Sequence, residues 1–147
     1  MQLTQFTDYS LRALIYIALR KGSCTIKDIT DAYEISNNHM VKIIHNLGKL
    51  GLIKTTRGKN GGILMAAQPE FVNLGQLVVQ LEPHFDLVPC FNKTKANCCI
   101  APACKLKGIL HEARAAFMAI LGQYTLADVL HNPSQLAAFL NIKQEEL

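Results

Sequence analysis

The chain has 147 residues, half of them hydrophobic and 18% charged, with a formal net charge of +4. That suits one globular domain, or a small module with a helical extension, and excludes a disordered tail. The longest unbroken apolar runs, Ala13 to Leu19 and Ala115 to Leu121, are too short to span a bilayer, so no membrane partner is expected.

Met1 to Ser10 is polar and carries Asp8 where a secretory leader would need a basic start and an apolar stretch, which predicts cytoplasmic residence. Leu11, Leu14, Ile15 and Ala18 then recur at helical spacing, predicting a first helix from about Thr7 to Arg20 that ends at Lys21-Gly22-Ser23. Thr25 followed by Asp28 reads as a capping box, opening a short second helix with Ile26, Ile29 and Tyr33 on its buried side. Ser36 can cap a third helix with the apolar face Met40, Ile43, Ile44, Leu47 and Leu50, and Gly51 can end it. Two β-branched segments follow, Leu52 to Thr56 and Ile63 to Ala66. Between them lies Arg57-Gly58-Lys59-Asn60-Gly61-Gly62, in which Asn-Gly signals a hairpin turn.

Pro69 closes this first module. Asn73 can cap a fourth helix with Leu74, Leu77, Val78 and Leu81 on one side, stopped by Glu82-Pro83. The segment from Pro83 to Ala103 has no apolar period. A loop of that length is unusual in a compact domain unless it is functional or held by a ligand. Lys105 to Tyr124 is the longest helical pattern, with a broad face of Ile109, Leu110, Ala113, Ala116, Phe117, Ile120 and Leu121 that suits a partner helix. Thr125 can cap a last helix through Leu130, and the tail after Pro133 reads as short. The expected fold is mostly α with a small β-hairpin: a winged helix-turn-helix domain over residues 1–67, a connecting helix and cysteine loop over 68–104, and a long dimerisation helix with a C-terminal tail over 105–147.

Three helices and a two-stranded hairpin, in that order, are the pattern of a winged helix-turn-helix DNA-binding domain. Charge agrees with it. Residues 1–67 hold nine Lys and Arg against four Asp and Glu, whereas 68–147 hold six against seven. On the third helix, Asn38, Lys42, His45 and Lys49 form a polar stripe opposite the apolar one. Ser36, Asn37, Asn38 and His39 stand at its N-terminal end, where recognition helices reach base edges, and Asn suits bidentate bonding to adenine. Any surface helix has a polar stripe, so the hairpin tip matters. Arg57, Lys59 and Asn60 sit on a Gly-rich turn that can approach a phosphate backbone or enter a narrow minor groove. These residues predict binding to double-stranded DNA, with Lys42, Lys49 and Lys59 acting mainly on phosphates.

Four of the five cysteines fall between positions 90 and 104, and such a cluster in a reducing compartment points to metal or redox chemistry rather than disulfides. Cys90, Cys98 and Cys104, with Cys99 beside Cys98, suit a soft metal centre, either iron-sulfur or zinc. The repeated close pair of structural zinc sites is missing. Three thiolates leave a fourth position open to Cys99, His84, His111 or Asp8. Cys24 stands alone and is expected to pack. Adjacent cysteines form only strained disulfides and no Cys-x-x-Cys occurs, so a thiol redox enzyme is disfavoured. No carboxylate or nucleophile orients His39 or His45 for catalysis, and the chain is not expected to be an enzyme.

Five motifs carry a resemblance: Gln5-Phe6-Thr7-Asp8-Tyr9, Asn38-His39-Met40-Val41-Lys42, Arg57-Gly58-Lys59-Asn60-Gly61-Gly62, Leu81-Glu82-Pro83 and Pro102-Ala103-Cys104-Lys105-Leu106-Lys107. Over about residues 1 to 130 the chain resembles the NsrR family of nitric-oxide-sensing repressors, one branch of the iron-sulfur winged-helix regulators that also include IscR. The resemblance implies a homodimer that represses its operator while an iron-sulfur cluster is intact and releases DNA on nitrosylation. A 4Fe-4S cluster is expected ahead of a 2Fe-2S one. The resemblance makes Cys90, Cys98 and Cys104 the thiolate ligands and Asp8 of the partner subunit the fourth. By itself Asp8 reads otherwise, as a first-turn carboxylate favoured by the helix dipole with Arg12 one turn on. The IscR branch uses a histidine three positions after the last cysteine, where this chain has Lys107. Two departures from the pattern are the long first cysteine spacing and the extra thiol at Cys99. The alternatives are a regulator of the IscR-like branch and a zinc-stabilised DNA-binding protein without nitric oxide sensing.

Overall fold

A computed structural model describes residues 2–58, 61–92 and 98–146. Its elements are helices α1 (Gln5–Leu19), α2 (Ile26–Tyr33) and α3 (Asn37–Lys49), strands β1 (Ile53–Thr56) and β2 (Gly62–Met65), and helices α4 (Leu74–Leu81), α5 (Lys105–Leu121), α6 (Leu126–Val129) and α7 (Pro133–Phe139). It is a mostly helical winged-helix fold with, among the described residues, one antiparallel pair of strands.

Side chains set the helix boundaries. Thr4 Oγ1 accepts the Thr7 N–H, so α1 begins two residues earlier than its apolar period indicates. The capping box at α2 is complete, Thr25 and Asp28 each accepting the other's backbone N–H. Ser36 accepts the His39 N–H at the start of α3, and Asn73 accepts the Gln76 N–H at the start of α4. Gly51, at φ 73°, turns the chain out of α3 in a backbone region that costs a side-chain-bearing residue 1–2 kcal/mol or so.

The three N-terminal helices bury one face each around a shared centre. Leu14 and Ile17 of α1, Ile29 of α2, and Met40, Ile43 and Leu47 of α3 are fully enclosed, each burial contributing roughly 1.5–3 kcal/mol. The hairpin pairs Ile53 with Met65 through to Thr56 with Gly62 and lies against this bundle. Cys24 extends the pairing: its N–H donates to the Ile63 carbonyl at 3.0 Å and its carbonyl accepts the Ile63 N–H at 2.8 Å. Gly62 permits that approach, because a Cβ there would lie 2.6 Å from Ser23 Cβ. Cys24 is buried and packs, as expected from its isolation.

Beyond the wing, α4 packs against both α1 and α5. A second short bridge joins the segments before α4 and α6, the Leu74 N–H donating to the Tyr124 carbonyl and the Leu126 N–H to the Val72 carbonyl. Among its described residues the long loop contains the single 3-10 turns Pro89–Phe91 and Ala101–Ala103. The tail is the main departure from the sequence reading. Pro133 occupies the first turn of α7, and Ala137, Leu140 and Ile142 are buried in the core. Arg20 grips Glu146 at 2.8 Å, and the Lys21 N–H donates to the Glu146 carbonyl. The tail thus returns to the end of α1. Among the described residues no helix is long and apolar enough to cross a membrane.

Candidate nucleic-acid interface and thiol loop

On α3, Asn37, Asn38, His39, Val41, Lys42, His45 and Lys49 are exposed, while the opposite face is sealed into the core. The predicted polar stripe is therefore a free surface, and it also carries Val41, an apolar side chain the stripe did not include. Ser36 is exposed too, with its hydroxyl engaged at the helix start. The wing projects Arg57 into solvent, and Thr56 Oγ1 accepts the Gly62 N–H below the tip. Lys59 and Asn60, expected at that tip, lie outside the described residues.

The α1 N-terminus adjoins this face of α3. The rings of Tyr9 and His39 are 6.3 Å apart, and Gln5, Phe6, Tyr9, His39 and Lys42 line a groove of about 320 Å³ between α1 and α3. Arg12 binds Asp8 through two contacts, Nε to Oδ1 at 3.0 Å and Nη2 to Oδ2 at 2.9 Å, both side chains remaining partly exposed. The Asp8 hydrogen bond outweighs partial burial and raises the Arg12 pKa further. The same guanidinium stands 5.8 Å from the Tyr9 ring centre and 5.9 Å from that of Tyr33.

All five cysteines are free thiols. Cys90 and Cys104 are half-buried, and Cys98 and Cys99 are exposed. Cys104 is the N-cap of α5: its sulfur accepts the Lys107 N–H at 3.4 Å, at the helix end where negative charge is stabilised. Cys90 lies in the middle of the 3-10 turn Pro89–Phe91. Among the described residues of one chain, no three His, Cys, Asp or Glu side chains converge as a metal site. The free thiols of Cys90, Cys98 and Cys104 have the chemistry of a soft iron centre.

The broad apolar pattern of α5 is not spent inside the chain. None of its residues is fully buried, and Leu106, Ile109 and Ile120 are more than half exposed. Its His111 and Arg114 contact the loop at Phe91 and Phe85. Sequence reasoning named His111 only as a possible metal donor and did not single out Phe91 or Arg114. A stacked ring pair needs two segments brought together, which no local period signals.

The Rrf2 family profile, described as iron-dependent transcriptional regulators, matches residues 3–132. The chain is 49% identical over 148 aligned residues to the HTH-type transcriptional regulator NsrR of Shouchella clausii (strain KSM-K16), with 99% of each chain covered. It is 44% identical to the protein of that name in Bacillus subtilis (strain 168), covering 98% of this chain and 100% of the relative. Among solved structures, T. potens IscR superposes with a TM-score of 0.70 at 23% identity, covering 90% of this chain and 88% of that one. The oxidized form of Staphylococcus aureus CymR gives 0.67 at 21% identity, with coverage of 86% and 93%. The structural likenesses establish the fold, and the sequence matches extend over nearly the whole length. By the profile and the sequence matches, this chain belongs to the Rrf2 family of transcriptional regulators.

Proposed function

We propose that this chain is a homodimeric repressor that binds double-stranded operator DNA and senses nitric oxide through an iron-sulfur cluster, 4Fe-4S in preference to 2Fe-2S. The name carried by its close relatives supports the regulator class. Residues 1–67 read the DNA, through Ser36, Asn37, Asn38, His39 and Lys42 on the helix and Arg57, Lys59 and Asn60 on the wing. Residues 68–104 carry the thiol loop, and 105–147 supply the dimer helix, whose uncovered apolar face suits a second copy of itself.

Cys90, Cys98 and Cys104 would hold the cluster, with Asp8 of the partner subunit as the fourth donor. When bound, the cluster supplies iron that reacts with nitric oxide. The observation that carries the reading is the placement of Asp8. It sits on the helix that packs against α3 and grips Arg12 in its own chain. A carboxylate is a harder and weaker partner for iron than a thiolate, so Asp8 is the donor most easily exchanged. Asp8 thus has two competing partners. When Arg12 holds it, the guanidinium also lies near Tyr9, which neighbours His39 on the reading face. Exchange at Asp8 therefore alters the first turn of α1 next to the DNA contacts, which couples the two sites through one element.

Anaerobic purification with iron and sulfide analysis, followed by DNA binding with and without nitric oxide, tests this. The expected result is a coloured, iron-loaded dimer whose DNA affinity falls on exposure to nitric oxide. Binding indifferent to both iron and nitric oxide overturns it, and a colourless zinc-loaded protein favours the zinc-stabilised alternative.

A further inference from the structure

Phe91 follows Cys90 directly and packs against two side chains of α5. Its ring stacks on His111, with centroids 4.3 Å apart and planes inclined by 26°. The Arg114 guanidinium stands over it at 5.0 Å from the ring centre. The same guanidinium is fixed by two further partners, donating to the Phe85 carbonyl at 3.4 Å and meeting His111 Nδ1 at 3.2 Å. A guanidinium only donates, so Nδ1 accepts. His111 and Arg114 are three residues apart on α5 and therefore neighbours on one face. Phe91 lies against both, and Arg114 ties in the loop at Phe85 as well.

We infer that Phe91, His111 and Arg114 form a clamp that positions Cys90 relative to Cys104 before any cluster is bound. This rests on the reading of Cys90 and Cys104 as cluster ligands. Cys104 starts α5, and the clamp fastens the turn bearing Cys90 to the same helix two to three turns further on. Two of the three thiols thus share one rigid support. Cys98 is exposed, and among the described residues no ring or guanidinium contact ties it to α5. Ordering a loop at the moment of ligand binding costs conformational entropy, and a turn fixed in advance avoids that part of the cost. Residues that orient metal ligands from outside typically alter affinity by about ten- to a hundredfold when removed. Phe91, His111 and Arg114 are accordingly positioning residues, none of them a ligand.

The test uses the full chain, and its first readout needs no cluster. In cluster-free protein, the maleimide alkylation rate of Cys90, followed by mass spectrometry, is expected to rise about tenfold or more in Phe91→Ala and in Arg114→Ala. It should stay at the wild-type value in Phe91→Tyr, which keeps the aromatic face, and in Ile100→Ala, a loop change outside the clamp. Circular dichroism on each variant establishes that the helices are intact. In reconstituted protein the same two alanine variants should lose iron to a chelator about tenfold faster, with Phe91→Tyr retaining it. Wild-type alkylation and iron-release rates in Phe91→Ala overturn the clamp. Wild-type protein that takes up no iron instead overturns the ligand assignment of the preceding section, while the alkylation rates still decide whether the clamp exists.

Discussion

Tyr9 and His39 meet with ring centroids 6.3 Å apart and planes tilted by 46°, joining the N-terminal part of α1 to the first turn of α3. Asp8 is the neighbour of Tyr9, so the proposed sensor carboxylate stands one residue from a ring that meets α3. Aromatic pairs at this separation contribute about 0.5–1.5 kcal/mol, and exposure of His39 puts this one at the lower end. A double-mutant cycle with Tyr9→Ala and His39→Ala, read by chemical denaturation, should give a coupling of about 0.5 kcal/mol. Additive single effects would mean that the rings do not communicate.

Asp8→Asn should separate stability from sensing. The ion pair with Arg12 is an exposed i to i+4 pair, 45% and 42% accessible, worth about 0.3–0.5 kcal/mol. The melting temperature should therefore hardly move. Iron retention and the DNA response to nitric oxide should both change markedly. A variant identical to wild type in these two assays would refute the role proposed for Asp8.

Gly75 and Gly122 set the contact between α4 and α5. A Cβ on Gly75 would lie 2.9 Å from both the Cα and the backbone nitrogen of Gly122, and backbone cannot step aside as a flexible side chain can. Asn73 Nδ2 also donates to the Gly122 carbonyl at 2.8 Å. Gly75→Ala should push the helices apart and destabilise by about 1–3 kcal/mol, measured by urea denaturation. An unchanged or raised midpoint would show that the contact gives way.

Alkaline pH should weaken the fold through Cys24 and Tyr33. Burial pushes the Cys24 thiol from its ordinary value near 9 up to about 11, and Tyr33 from 10 up to about 12. In both cases the folded state holds its proton longer than the unfolded state does. The resulting stability is complete below the unfolded values and is lost as pH rises through the folded ones. Each unit of difference corresponds to about 1.4 kcal/mol, less where the group stays partly hydrated. Denaturation midpoints between pH 8.5 and 11.5 should fall in the wild type and fall less steeply in Cys24→Ala. An equal slope in the two proteins would remove Cys24 from the account.

Lys42→Ala should reduce DNA affinity by a similar factor on every sequence and lower the salt dependence, log K against log salt, by about one. A shift in base preference with the slope unchanged would instead make Lys42 a base-reading residue.

Local signals determined most of the fold. Thr25-x-x-Asp28, Ser36 and Asn73 announced the starts of α2, α3 and α4 because a cap is a contact within four residues, and the apolar spacing of α3 revealed its exposed polar face because helical periodicity is local. The cysteine spacing likewise marked a thiol loop. Tertiary structure alone decided the rest. Thr4 caps α1 with its own N–H donated to Glu82, 78 residues away, and α7 is held by burial of Ala137, Leu140 and Ile142 together with the grip of Arg20 on Glu146. Neither is written in a window short enough to read as a pattern. The pairing of Phe91 with His111 and Arg114, and the nearness of Tyr9 to His39, depend on segments converging after the core has formed. A linear sequence can carry the donors of a site, but the distances between them come from packing.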